Sequence, residues 1–487
     1  MKQYQKLFSL LFVIILLFSL AACAGLPDSG SPLPETTTDT TPETTEETIP
    51  QWSPYKGQSS RGYVYYYESG RNRDWEEDII YMADNYTWDY AQLTSFDSRI
   101  EWPGDVEYSD QFYNEELRET FLAEINALIL RIPELTDNEI LYELQRIVAL
   151  LHDAHSSIYL PAADSVAASF QPFYVDGELD VRAVYLPEQY RHVMFGKLTA
   201  INGFTVEEVM EKALPYLSYE NEYWAVNLMF GIFGPEYAAN PEFLQIIGIS
   251  PKGAEGVTYS FLTEGGQAVD VELYPLSSPK MYGQSMIPGY TCNWVYELMY
   301  RDRQDRMYWH EEIAPGTVYI RINEFEEDPN YTFLTLGNEI LAQDRDRGGT
   351  RKVIVDVRDN PGGYQFLGYG QLITVLQRMD VQNIYVLIDG NTFSNGIIMA
   401  GSIKREIPEA IIVGTPGGQP ANFFAGMYDG DYVMPNCGVI CRIPTAWIVS
   451  LPDFEGEALM PDVVVWPTLS DYKNHTDTIL QAVLRMP

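Results

Sequence analysis

The chain is short of basic residues, of histidine and of cysteine. Lysine and arginine together number 31 against 69 aspartates and glutamates, for a formal net charge of −38. Such a balance repels phosphates, which excludes nucleic acid as a partner and disfavours recognition of anionic lipid by the folded part. There are four cysteines. Beyond Cys23, the remaining Cys292, Cys437 and Cys441 are odd in number and cannot all pair within the chain. Cys437 and Cys441 flank Gly438-Val439-Ile440, where a bridge is conceivable but not required. No second cysteine or histidine pair stands nearby to make a zinc site. A nucleotide-binding glycine fingerprint, a His-Glu metal array and internal repeats are also missing, so neither a cofactor nor a metal is expected.

What is present is the composition of a folded protein, 46% hydrophobic and 13% aromatic over 487 residues, enough for two or three domains. At the start, Lys2 and Lys6 precede an apolar run from Leu7 to Leu20, which Leu20-Ala21-Ala22-Cys23 closes. The run is short for a membrane span, and the whole resembles a bacterial lipoprotein signal with its lipobox. That resemblance implies lipidation at Cys23 and a lipid-anchored, extracytoplasmic protein whose contact with the membrane is the anchor. From Ala24 to about Pro50 the chain is Thr, Glu, Pro, Ser and Gly with almost nothing apolar, the composition of a disordered tether.

The spacing predicts helices over about 74–90, 114–131 and 137–152, the third with Ile140, Leu141, Leu144, Ile147, Val148 and Leu151 on one face and Thr136 or Asp137 as cap. This helical region ends in Leu151-His152-Asp153-Ala154-His155-Ser156-Ser157. Two of the chain's five histidines lie in this exit loop. Histidine is the side chain that takes a proton near neutral pH, although a histidine here also suits a plain surface or capping role.

The most informative stretch runs from Lys352 to Gly414. Lys352–Arg358 reads as a buried strand, Asp359-Asn360-Pro361-Gly362-Gly363 as a turn that can present bare amides, and Ile384–Ile388 as a second strand. Asp389-Gly390-Asn391 turns the chain, and Phe393-Ser394-Asn395-Gly396 opens a run with helical spacing. Ser394 therefore sits where a strand gives way to a helix N-terminus, a place that favours developing negative charge and suits an acyl-transfer nucleophile. Serine is equally a common N-cap residue.

Taken in order, Asp356-Val357-Arg358-Asp359-Asn360-Pro361-Gly362-Gly363, Thr392-Phe393-Ser394-Asn395-Gly396 and Val413-Gly414-Thr415-Pro416-Gly417-Gly418 resemble the S41 family of serine peptidases. The family includes the C-terminal processing peptidases and the tricorn core proteases, and the likeness is most specific over about residues 316–467. It extends to Met434-Pro435-Asn436, Ile443-Pro444-Thr445 and Met460-Pro461-Asp462-Val463-Val464-Val465. Asp153-Ala154-His155 resembles the family's Asp-Gly-His type element, which makes His155 the implied base and His152 the alternate. C-terminal processing peptidases use a lysine base in the loop that here reads Gly414-Thr415-Pro416-Gly417-Gly418-Gln419-Pro420, without lysine. Beyond Ser394 the only lysines are Lys404 and Lys473. The tricorn-like serine–histidine arrangement is the one this chain can supply, with Glu455 where its glutamate is expected and Glu457 as the near alternative. The family's orienting serine has no counterpart, since Ala154 precedes His155; Ser156 or Asp153 can take that role. The mechanism implied is acyl transfer from a peptide or protein substrate, with Ser394 attacking, His155 moving the proton and Glu455 stabilising the imidazolium. Amides of Gly362 or Gly363 and of Asn395 would form the oxyanion hole.

Between these regions, Phe195–Glu208 resembles the core of a PDZ-like domain, with a strand, an Asn-Gly turn and a helix in succession. Residues 217–245, rich in Tyr, Trp and Phe, match no motif and suit either a groove-lining insertion or a core. The expected architecture is multidomain α/β. A signal over 1–23 and a tether over 24–50 precede an N-terminal helical region over 51–160. A PDZ-like β-rich domain with an insertion follows over 161–285, then a ClpP/crotonase-like S41 catalytic domain with a mostly parallel sheet over 286–487. Two other functions fit parts of the pattern: an S41-like surface protein with a decayed catalytic set that binds peptides or other ligands, and a structural surface protein that uses only its PDZ-like part.

Overall fold

The computed structural model describes residues 66–94, 112–161, 165–166, 168–231, 237–276, 290–291, 298–301, 303, 305–326, 328–363, 366–426 and 431–487. The expected signal and tether, Cys23 and Cys292 lie outside these residues. Among the described residues no helix is long and apolar enough to cross a membrane.

Three helices come first: α1 (Arg71–Asp89), α2 (Glu115–Arg131) and α3 (Asp137–Ala149). The last is set by a capping box, in which the Thr136 hydroxyl accepts the Glu139 N–H and the Glu139 carboxylate accepts the Thr136 N–H. Its apolar face is fully buried from Ile140 through Val148 and on to Leu151. That face shares one core with Phe424, Met434, Cys441 and Ile443 from far down the chain. The helical region is thus packed onto the segment that follows the helix opened by Ser394. Immediately after α3, the short strand β1 (Ser157–Ile158) leads the chain away.

The middle of the chain is an antiparallel sheet of seven strands. It includes β2 (Ser169–Val175), β3 (Glu178–Pro187), β4 (Lys197–Ile201), β5 (Val257–Leu262) and β6 (Ala268–Leu273). Asn202 and Gly203 turn the chain after β4 with φ of 48° and 84°, the left-handed pair that a tight hairpin turn requires. The helix α4 (Val206–Ala213) follows on a second capping box, Thr205 with Glu208. The aromatic stretch then folds as α5 (Glu222–Phe230), whose N-cap Asn221 accepts the Trp224 N–H.

The last part is built on a six-stranded sheet. Its strands are β7 (Tyr308–Ala314), β8 (Thr317–Ile322), β9 (Thr350–Asp356), β10 (Val381–Ile388), β11 (Ile411–Gly414) and, at the far edge, a strand over Val463–Val464. All neighbours pair in parallel except β7 with β8. The helices α6 (Phe333–Arg347), α7 (Phe366–Arg378) and α8 (Asn395–Glu406) form the crossovers that parallel strands demand. Central strands buried on both faces read as the continuous β-branched runs seen in the sequence, such as Val353-Ile354-Val355. Residues 422–449 make two antiparallel pairs. Asn422–Ala425 pairs with Ala446–Val449, and Asp431–Val433 pairs with Ile440–Arg442. The latter also pairs with β1, which ties the histidine loop to this region. Cys437 and Cys441 are both free thiols, the first exposed and the second buried.

Candidate active site

Ser394 follows β10 through a turn held from several sides. The Phe393 N–H donates to Asn360 O at 2.9 Å, the Gly418 N–H to Thr392 O at 3.0 Å, and the Thr392 hydroxyl to Val357 O at 2.9 Å. So restrained, Ser394 adopts φ 50° and ψ −120°, backbone that a residue with a side chain avoids unless its surroundings impose it. The helix α8 begins at the next residue, and the Ser394 side chain makes no capping bond to it. The hydroxyl is thereby left for another task.

His155 is delivered by the loop after α3. Asp153 shapes that loop, one carboxylate oxygen accepting the His155 N–H at 2.8 Å and the other the Ser156 hydroxyl at 3.1 Å. His155 Nε2 lies 3.0 Å from Ser394 Oγ. The imidazole is stacked between Phe393, at 4.7 Å between ring centroids, and Phe423, at 5.3 Å. Phe393 in turn stacks on Trp224 at 4.2 Å. This enclosure, with a smaller repulsion from Arg442, lowers the imidazole pKa to about 3 and keeps the ring neutral.

Two further groups complete the cluster. The Gln419 carboxamide accepts the Ser394 N–H at 2.7 Å through its oxygen, while its nitrogen lies 2.8 Å from Glu220 Oε1 and 3.2 Å from His155 Nδ1. Glu220 is pushed well above the usual carboxylate range, first by removal from water and then by the nearby Asp153. Burial likewise raises Asp153, to about 7. Glu220 belongs to the aromatic stretch that matched no motif, and Gln419 to the loop in which a lysine was sought. A residue's partners across 199 positions, as between these two, leave no local signal.

The other sequence-derived residues are distributed differently. Glu455 is exposed in the loop after Leu451, outside the groups that contact His155, and the carboxylates beside the histidine are Glu220 and Asp153. Glu457 is also exposed and enters through its backbone, its carbonyl accepting from Asn221 Nδ2 at 3.0 Å. His152 is exposed, edge-on to Tyr219 at 5.9 Å. Lys404 reaches Ala410 O and Asp462 from α8, at 2.9 and 3.0 Å. The Ser156 hydroxyl donates to Asp153, and Asp153 accepts the His155 backbone N–H rather than bonding the imidazole. Gly362 sits against Ser394, but its N–H is taken by Asn360 Oδ1 at 2.8 Å. The amides of Gly363 and Asn395 donate to no acceptor among the described residues. Asn395 Nδ2 donates to Gly363 O, which joins these two positions.

Beneath the turns lies a buried set of charges. Arg358 donates to Asp477 through both terminal nitrogens, at 2.8 and 2.7 Å, and to Asp356 through Nε at 3.0 Å. Arg301 holds Asp359 at 2.8 Å. Asp389, whose carboxylate accepts the Asp359 N–H at 3.0 Å, is raised to about 7 by burial and by Asp359. Each charge has a partner, as buried charges require, and together they fix the turn over 359–363 against the turn over 389–393.

This architecture recurs among solved structures. It is the fold of mature CPAF, which aligns at a TM-score of 0.52 and 12% identity over 83% of this chain and 94% of that one. Mature CPAF complexed with lactacystin aligns at 0.51 and 12% identity over 83% and 96%. The photosystem II D1 C-terminal processing protease aligns more loosely, at 0.36 and 12% identity over 84% and 96%. No family model and no curated protein matches the sequence.

Proposed function

We propose that the protein is a serine peptidase of the S41 type in which Ser394 is the nucleophile and His155 the base. The observation that carries this reading is the 3.0 Å approach of His155 Nε2 to Ser394 Oγ at a strained strand-to-helix turn. Ser394 Oγ attacks a peptide carbonyl while His155 takes its proton. The developing oxyanion is met by the amides of Asn395 and Gly363 at the positive end of α8. His155 then returns the proton to the leaving amine, and water repeats the cycle on the acyl-enzyme. Glu220 stands beside the imidazole, in the role that the family resemblance assigned to Glu455. No lysine is within this set, which favours the histidine mechanism over a serine–lysine dyad. The substrate is a peptide or protein, the class that the S41 resemblance implies.

The test is cleavage of an unfolded protein such as reduced casein by the full chain. Appearance of new peptide amino termini supports the reading if Ser394→Ala abolishes it. A folded wild type that cleaves neither casein nor a mixed peptide library supports the binding-protein alternative instead. We also propose that the protein is anchored outside the cell through a lipid on Cys23, on the strength of the Leu20–Cys23 motif. A Cys23→Ala variant that still partitions with membranes and migrates as wild type contradicts the anchor.

A further inference from the structure

The orientation of the Gln419 carboxamide is dictated by the backbone. The Ser394 N–H can only donate, so the group 2.7 Å from it is the carboxamide oxygen. The NH2 group therefore faces Glu220 Oε1 at 2.8 Å and His155 Nδ1 at 3.2 Å, with one hydrogen for each. An Nδ1 that accepts a hydrogen bond carries no proton. A neutral imidazole then carries its proton on Nε2, and this N–H points at Ser394 Oγ, 3.0 Å away. A ring that donates to the serine oxygen cannot take the serine's proton through the same nitrogen.

We propose that Gln419 is a positioning residue that latches His155 in a resting tautomer, and that the base is armed when the carboxamide leaves Nδ1 and Glu220 takes its place. The proposal rests on the reading of Ser394 and His155 as nucleophile and base. Glu220 is placed for the exchange. One of its oxygens, one of Asp153 and a nitrogen of His155 all lie within 4.8 Å of one another, and Glu220 Oε2 is buried without a well-formed hydrogen bond, the carboxylate otherwise facing only the backbone amides of Ala154 and of Glu220 itself. A buried oxygen without a well-formed hydrogen bond is costly to leave, and an Nδ1–H would satisfy it. The step is a transfer of one proton from Nε2 to Nδ1. The ring stays neutral and no other group gains or loses charge.

The stack of Trp224, Phe393, His155 and Phe423 confines the ring to its plane, so the tautomer can change without the imidazole leaving the serine. Gln419 and Glu220 thereby set which nitrogen is basic, and the aromatic rings set where it is.

The test reads the tautomer directly. The full chain has five histidines, so long-range nitrogen–proton correlation spectra of the 15N-histidine protein are sparse, and His155→Gln assigns the site. The result expected in the wild type is a protonated Nε2 and a bare Nδ1 at His155. Exchanging the two partners, Glu220→Gln together with Gln419→Glu, keeps the number of ionisable groups. It also puts an acceptor at Nδ1 that still receives the Ser394 N–H. This variant, and Gln419→Glu alone, are expected to move the proton to Nδ1 and to raise the rate at which a fluorophosphonate labels Ser394 by about tenfold, roughly what one net hydrogen bond is worth. A wild-type ring protonated on Nδ1 overturns the latch and leaves the nucleophile reading intact. So does a proton that moves to Nδ1 without change in labelling rate. Absence of labelling at Ser394 in every one of these proteins overturns the nucleophile reading, and the latch with it.

Discussion

A side chain on Gly362 would collide with Ser394: a Cβ there would come within 2.5 Å of the serine Cβ and 3.0 Å of its Oγ. The glycine also has φ 104°, which L-residues rarely adopt. The turn over 359–363 is thus closed tightly onto Ser394. Gly362→Ala is expected to cost about 1–3 kcal/mol of stability, from strain and displacement of the turn. It should lose most Ser394 reactivity even where it remains folded. Thermal unfolding and probe labelling on one sample separate the two effects, and labelling at the wild-type rate would show that this close approach has no role.

The pH dependence follows from the enclosure of His155. A base works when unprotonated, and the ring is held neutral down to about 3. The rate of Ser394 labelling is therefore expected to stay level between about pH 5 and 7, with no fall near ~6.5, where a free histidine titrates. A half-maximal point near 6.5 would mean that the ring is solvated in the working enzyme.

Asp153 makes a separate prediction for stability. Burial raises its carboxyl from the ordinary 3.8 to about 7, so the folded state holds a proton that the unfolded chain releases. That contribution is fully present below 3.8 and is lost as pH rises through about 7. Asp153→Asn, which cannot ionise, should gain in stability relative to wild type as pH is raised from about 5 to 8. Denaturant unfolding at the two ends of this window checks the sign. A difference that does not change with pH would contradict a protonated Asp153.

Much of the fold was legible because its signals are local. Continuous runs such as Val353-Ile354-Val355 mark buried parallel strands, the Thr136 and Thr205 capping boxes mark helix starts, and Asn202-Gly203 marks a turn. Ser394 stood out for the same reason, lying where a strand gives way to a helix, whereas His155 was singled out by the resemblance of Asp153-Ala154-His155 to a family element. The rest of the site is a matter of packing. Glu220 becomes a neighbour of His155 only because α5 lays Trp224 on Phe393, and Gln419 acquires three partners only when three loops converge. Glu455 was assigned by its offset from Pro461-Asp462, and an offset cannot reveal that the loop carrying it faces solvent.

The central claim, that Ser394 is activated by His155, is tested most directly by fluorophosphonate labelling of the full chain with the modified peptide identified by mass spectrometry. The expected result is a single adduct on Ser394, absent in Ser394→Ala and formed about 10²–10⁴ times more slowly in His155→Ala, the range general base catalysis contributes. An adduct that persists in Ser394→Ala, or that forms on Ser394 at an undiminished rate in His155→Ala, would contradict it.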